Sequence, residues 1–506
     1  MRPLPLAPLL LAAWLLCLLS APATAQGFRE EITETGLRLW EFSDDDADRF
    51  SLAVIVGTGS RDEEEEQAGI SHFLEHVIFQ SAAERPPEHS DPEVSRRGLA
   101  TNGYTTSEVT VYHISGSAVH WPFMVEWLAD HVLRPRFEMT EIENERRTVL
   151  QEIATEGPDF DALTFEAMLY GDHPLSRSIG GSETTVASIT VEDLRAVHKR
   201  FYHAANIAVG FAGRVPSTEC FELLHKSFGG VAAGPPVGKE APDLRTGNLR
   251  RETRVGTDRS STLRIGYHLQ CTNAPELPSL LVLSQYLDDR FFAVAREEQH
   301  LAYAPSVRLI CYRDVQRLDF VCPTSDRANL RPLATIVEDL VGELRHPDPA
   351  AIAKAARTVN GRFHCSSATE LADTMELAAW VAWHGGDVPA LVASIAKMQA
   401  IDLSTAAERW LHQDSRFNLS EVQLLDTSGA PWALFVLLAI GLLYWFRARV
   451  LYVARATGSL LRPRPKPAGR VLSMKKGGPI KPVDADEIER SFQRYFEEED
   501  RSRGDR

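Results

Sequence analysis

Apolar and polar positions along the chain divide it into segments of recognisable period. DRFSLAVIVGTGS (48–60) and SEVTVYHISG (107–116) carry β-branched and apolar residues in partial alternation, which predicts strands. Between them, GISHFLEHVIFQ (69–80) repeats its apolar residues every three to four positions and predicts a helix over 67–80. TEIENERRTVLQEIATEG (140–157) predicts another, with Thr140 as N-cap, Glu143 closing a capping box and Gly157–Pro158 as the stop. Further on, LPSLLVLSQYLDDRFFAVAREEQ (277–299) reads as a long helix, and STLRIGYHL (261–269) and RLDFVCP (317–323) as strands. GGVAAGPPVGKEAP (229–242) is a Gly/Pro/Ala-rich linker. It separates a first half, 26–230, from a second, 250–428, with the connection over 231–249.

The ends differ from this alternating body. Residues 1–25 have Arg2, an apolar centre and small residues at Ala23 and Ala25, the pattern of a secretory signal peptide. APWALFVLLAIGLLYWF (430–446) is apolar and uncharged, with Trp432, Tyr444 and Trp445 where interfacial aromatics belong, and predicts one transmembrane helix over 430–450. Lys and Arg without Asp or Glu follow from 447 to 476, which makes the tail, 451–506, cytoplasmic. The body is therefore expected on the exported side of a membrane, the periplasmic face of the inner membrane in a Gram-negative cell, held by one C-terminal anchor.

Composition adds two bounds. The 506 residues are 44% hydrophobic and 25% charged, an ordinary globular balance. A net charge of −16 argues against nucleic acid as a partner. Past the signal there are five cysteines; Cys311 and Cys322 flank a predicted hairpin and are either a disulfide or two buried thiols. The run DEEEE (62–66) reads as a solvated helix start.

The candidate chemistry lies in 69–80. His72 and His76 are four apart, so on a helix they stand one turn above the other and can converge on one cation. Glu75 is beside them, better placed to take a proton from water than to ligate. A solvated helix face with two histidines fits the same five positions. A third ligand would have to come from Glu141, Glu143, Glu145 or Glu152; Glu145 and Glu152, seven apart, share a face that suits one ligand and one supporting partner.

H-x-x-E-H is the inverzincin pattern, and HFLEHVIF resembles the pitrilysin/insulinase family of zinc metallopeptidases, which includes the mitochondrial processing peptidases. The resemblance extends over GTGSRDEEEEQAGISHFLEH, NGYTTSEVTVYH (102–113), ENERRTVLQEI (143–153), YGDHPLSRSIGG, ITVEDLRAVHKRFYHAANIAVGFAG and REEQHLAY, roughly residues 30–425. It implies an α+β fold: two similar α/β sandwich halves, each an antiparallel-rich sheet backed by helices, closing as a clamshell. It implies one zinc per chain on His72, His76 and Glu152, with Glu145 supporting, Glu75 as the base, and no metal in the second half. Arg296 and Tyr303 would donate to the scissile carbonyl from that half; without the family they read as a charged helix end and a core aromatic. The strand around Asn102–Tyr112 would pair with an extended peptide, with Asn102 and Thr105 in contact. Gly103 and Glu108 replace the family's usual alanine and aspartate, so substrate preference transfers less well.

The implied activity is zinc-dependent hydrolysis of short or unfolded peptides, with a homodimer or a heterodimer with a related subunit as possible assemblies. The rival reading is a non-catalytic substrate-binding or assembly subunit of the same family. Its mark would be a lost ligand or base, and none is missing.

Overall fold

The computed structural model describes residues 28–423, apart from 43–47, 84, 86, 157–165, 239–240, 244–248, 256–260, 270–273 and 366. The segments read as signal peptide, transmembrane helix and cytoplasmic tail lie outside the described residues. Among the described residues no helix is long and apolar enough to cross a membrane.

Two sheets organise the chain. The first holds β1 (Phe28–Ile32), β2 (Arg38–Phe42), β3 (Arg49–Val56), β4 (Ala100–Thr105), β5 (Thr110–Ser117) and β6 (Ile207–Gly213), in the order β1-β2-β6-β3-β5-β4. The second holds β7 (Leu249–Val255), β8 (Ser261–Leu269), β9 (Ser306–Cys311), β10 (Gln316–Thr324) and β11 (Arg416–Gln423), in the order β7-β11-β8-β10-β9. Both follow one plan. The last strand, β6 or β11, inserts parallel to β2 or β7 and antiparallel to β3 or β8. By this correspondence the helix Leu277–Phe292 matches Ile70–Ile78, and the edge strand β9 matches β4.

Why β3 reads FSLAVIV without polar alternation is clear from its neighbours. Leu52, Val54 and Val56 face one way and pack with Tyr112, Ile114, Val209 and Phe211 against Phe73, Leu74, Val77 and Ile78 of the histidine helix (Ile70–Ile78). Ala53 and Ile55 face the other way, in a core shared with the alanine-rich helix Ala368–Trp383 of the second half. A strand covered on both faces has no solvent side to keep polar. The second half can sit so close because the sheet is small-residued there. A Cβ added to Gly210 would lie 2.6 Å from Met375 Sδ, and Ala53, Ala208 and Ala212 are its neighbours on that face.

That packing corrects the expected clamshell. The second half does not stand off across a chamber from the histidine helix; it is seated on the opposite face of the first sheet. Ionic contacts accompany the apolar ones. Arg317 on β10 is buried and forks onto Glu166 of the first half at 2.6 and 2.7 Å while also bonding Asp319. Tyr104 on β4 donates to Glu376 at 2.6 Å.

Other local expectations change as well. The stretch 102–112 is a hairpin rather than one strand: β4 is the sheet edge and β5 is interior. The glutamate helix runs Met139–Glu156; the Glu138 carbonyl accepts from Ile142, so Thr140 lies inside the first turn rather than capping it. Cys311 and Cys322 do flank a hairpin, but Cys311 pairs with Gln316 beside the turn. Cys322, six residues further along β10, is roughly 20 Å away, far beyond disulfide reach. The long second-half helix continues past Phe292 as a π-helical turn, Ala293–Glu298.

Candidate metal centre

The histidine helix buries Ile70, Phe73, Leu74, Val77 and Ile78, spaced i, i+3, i+4, i+7, i+8. His72 and His76 consequently share the flank that faces the glutamate helix. That second helix anchors itself with Ile142 and Val149, also seven apart, which turns Glu145 and Glu152 toward the imidazoles.

Three side chains converge. His76 Nε2 lies 3.4 Å and His72 Nε2 4.0 Å from Glu152 Oε2, and the ligand-capable atoms of the three residues all lie within 4.8 Å of one another. The two rings meet edge to face, centroids 4.8 Å apart. Ligand atoms on a tetrahedral zinc stand about 3.3 Å from each other, so the set needs only a small contraction to hold that ion. Glu145 Oε2 accepts from His76 Nδ1 at 3.2 Å, which leaves Nε2 of that ring free to act as a ligand. His72 Nδ1 is buried with no partner. Two imidazoles and one carboxylate are a zinc donor set with a position left over for water, and the residues present fit that ion.

The electrostatics prepare the same atoms. Burial, and then the neighbouring His76, push the His72 pKa down to about 4, so this ring is neutral and ready to ligate. Burial works in the same direction on His76, but the hydrogen bond to Glu145 and the charges of Glu152, Glu75 and Glu145 outweigh it and raise the pKa. Glu75 is 7% exposed. Burial raises its pKa against the lowering effect of a 2.9 Å hydrogen bond from Thr105 Oγ1 to Oε2.

Thr105 therefore turns its hydroxyl to Glu75. Asn102, on the same edge strand, is exposed. Arg296 and Tyr303 contact each other, the guanidinium 4.4 Å from the ring centroid, and Tyr303 is 78% exposed. Neither hydrogen-bonds to His72, Glu75, His76 or Glu152. Periodicity could not single out Glu63. Within the run 62–66 it is the buried member, 8% exposed, and its carboxylate accepts from the Gly69 and Ser71 N–H groups at the start of the histidine helix.

The chain is similar to known proteins over both halves. Residues 41–179 match the family described as insulinase (peptidase family M16), and residues 188–358 match the peptidase M16 inactive domain. An uncharacterized zinc protease of Mycobacterium tuberculosis is 33% identical over 305 residues, 58% of this chain and 69% of the relative. The beta subunit of the mitochondrial-processing peptidase of Neurospora crassa is 28% identical over 243 residues, 46% of this chain and 51% of that one. Among solved structures, a protease from Helicobacter pylori superposes with a TM-score of 0.64 at 19% identity, covering 78% of this chain and 99% of its own. With both family matches falling on the two halves in order, and a relative covered over two thirds of its length, the chain belongs to the insulinase (M16) peptidase family.

Proposed function

We propose that the chain is a zinc metallopeptidase that cuts short or unfolded peptides. The observation that carries this reading is the convergence of His72, His76 and Glu152 on one ion-sized space, with Glu75 one residue before His76 on the same helix. One zinc per chain would be held by those three residues, and when bound it supplies the Lewis acidity that brings a water's pKa to about 7. Glu75 accepts a proton at its carboxylate and returns it to the departing amine, and its burial raises its proton affinity. Thr105 holds the carboxylate in one orientation. The outer edge of β4, with Asn102 exposed on it, offers backbone groups to an extended peptide, a mode of binding that tolerates many sequences.

Arg296 and Tyr303 enter the reading through assembly. The second half lies on the far face of the first sheet, so charge on the scissile carbonyl would be met by these residues only from a second subunit, a copy of this chain or a related one. An assembly or substrate-binding role without catalysis is the rival; the similarity to subunit 1 of the Bos taurus cytochrome b-c1 complex, 30% over 185 residues, favours keeping it. The apolar ends of the sequence support a place on the exported face of a membrane.

The test uses the full-length chain in detergent. It should bind about one zinc and cut a quenched unstructured peptide, with activity lost to chelator and restored by zinc. Glu75→Gln should retain zinc and lose turnover. Parental turnover in that variant would reject Glu75 as the base, and an inactive parent with full zinc would favour the assembly role.

A further inference from the structure

The histidine helix begins without a cap of its own. Gly69, its N-cap, has φ +94° and no side chain to accept from the first N–H groups. It must be glycine for space as well, because an added Cβ would lie 2.6 Å from the Gly180 carbonyl oxygen. Glu63 supplies the cap from outside the helix. Its Oε2 accepts from Gly69 N–H at 2.7 Å and its Oε1 from Ser71 N–H at 2.8 Å. His72 is the next residue, so this carboxylate grips the turn that carries one of the three ligands.

Glu63 is held in turn by the residues before it. Ser60 and Arg61 donate backbone N–H groups to the carbonyls of Thr106 and Ser107, in the loop between β4 and β5. The Arg61 guanidinium is buried. It pairs with Glu108 of that hairpin and forks onto Asp314 in the turn between β9 and β10 of the second half, Nη1 to Oδ1 at 3.0 Å and Nη2 to Oδ2 at 2.8 Å. Short contacts thus tie the second half to Arg61, and from there the backbone through Asp62 leads directly to Glu63 and the first turn of the histidine helix.

We propose that the Arg61–Asp314 pair makes the second half a positioning element for the metal site: Asp314 holds Arg61, Arg61 fixes Glu63, and Glu63 sets the helical turn that presents His72 to His76 and Glu152. The inference rests on reading those three residues as ligands. Loss of the Asp314 charge leaves a buried guanidinium short of one carboxylate, and the 59–63 segment is the part that can relax. A ligand shifted by a fraction of an ångström costs metal affinity and rate even where the fold survives. Asp314 and Glu63 are positioning residues in this scheme, not catalytic ones.

Three variants of the full-length chain decide it: Asp314→Asn, Glu63→Gln and, as control, Glu166→Gln, which breaks another inter-half ion pair, that with the buried Arg317. Zinc affinity is read by competition with a chromophoric chelator, stability by thermal melting, and kcat and KM on a quenched peptide. Asp314→Asn should weaken zinc by about tenfold and lower kcat with KM unchanged. Glu63→Gln should weaken zinc at least as much, and the double variant no more than Glu63→Gln alone, because the two act along one path. Glu166→Gln should lower the melting temperature while zinc affinity stays within about twofold of the parent. Parental zinc affinity in Asp314→Asn overturns the proposal, and so does equal weakening by Glu166→Gln, which would make it a general effect of loosening the halves. A parent that binds zinc without cutting peptide defeats the peptidase reading alone, since the zinc comparison still decides this one.

Discussion

Thr105, on the edge strand of the first sheet, donates its hydroxyl to the Glu75 carboxylate on the histidine helix at 2.9 Å. One contact therefore joins the strand proposed to receive the peptide to the group proposed to move the proton. Thr105→Val keeps the shape and removes the donor. A hydrogen bond to a charged group is worth about 1.5 kcal/mol or more, so kcat should fall by about tenfold with zinc content unchanged, and Thr105→Ser should restore most of it.

Glu152 and Glu145 should separate in metal binding. Glu152→Gln removes the charged ligand, and zinc measured by atomic absorption after gel filtration should be lost. Glu145→Ala keeps all three ligand atoms and removes the acceptor that orients His76; zinc affinity should fall by about 10- to 100-fold, the range for outer partners of metal-bound histidines.

Gly69 and Gly210 are both tightly packed, yet their alanine variants should differ. At Gly69 a Cβ meets the backbone of Gly180 in a left-handed conformation. Neither the backbone nor φ can yield cheaply, so Gly69→Ala should cost about 3 kcal/mol in chemical denaturation. At Gly210 the clash is with the flexible Met375 side chain. Gly210→Ala should cost about 1 kcal/mol.

Glu376 gives stability a pH dependence. Burial, opposed by the hydrogen bond from Tyr104, pushes its carboxyl up to about 6. The folded chain then binds this proton more tightly than the unfolded one. The resulting stabilisation is complete below pH 4.5 and is lost as pH rises through 6, about 2 kcal/mol in all. Unfolding free energies at pH 4.5 and 7.5 should differ by that much more in the parent than in Glu376→Gln.

Much of the local structure was legible in the chain. The strands at 49–56, 110–117, 261–269 and 316–324 fall where β-branched alternation puts them. The four-residue spacing of His72 and His76 suffices to place both imidazoles on one flank once 70–78 is helical. What escaped was hidden by neighbours of the same kind. Glu63 sits among four other acidic residues, and nothing local separates the buried carboxylate from the solvated ones. Residues 102–112 read as one strand because Thr106–Glu108 are compatible with extended chain; only pairing β4 against β5 makes them a turn.

The sequence by itself determined the repeat-dependent features: which segments are helix or strand, which residues share a face, and that two histidines and a glutamate stand where an inverzincin has them. These follow from fixed periods of 3.6 and 2 residues and need no knowledge of the rest of the chain. Family resemblance pointed to Glu152 as the third carboxylate; tertiary structure alone decided which carboxylate caps the histidine helix, and that the second half lies behind the first sheet rather than across from the candidate metal site. Such choices join residues as distant as Arg61 and Asp314. They are settled by which surfaces fit closely enough to exclude water, a property of assembled faces that no short stretch of chain carries.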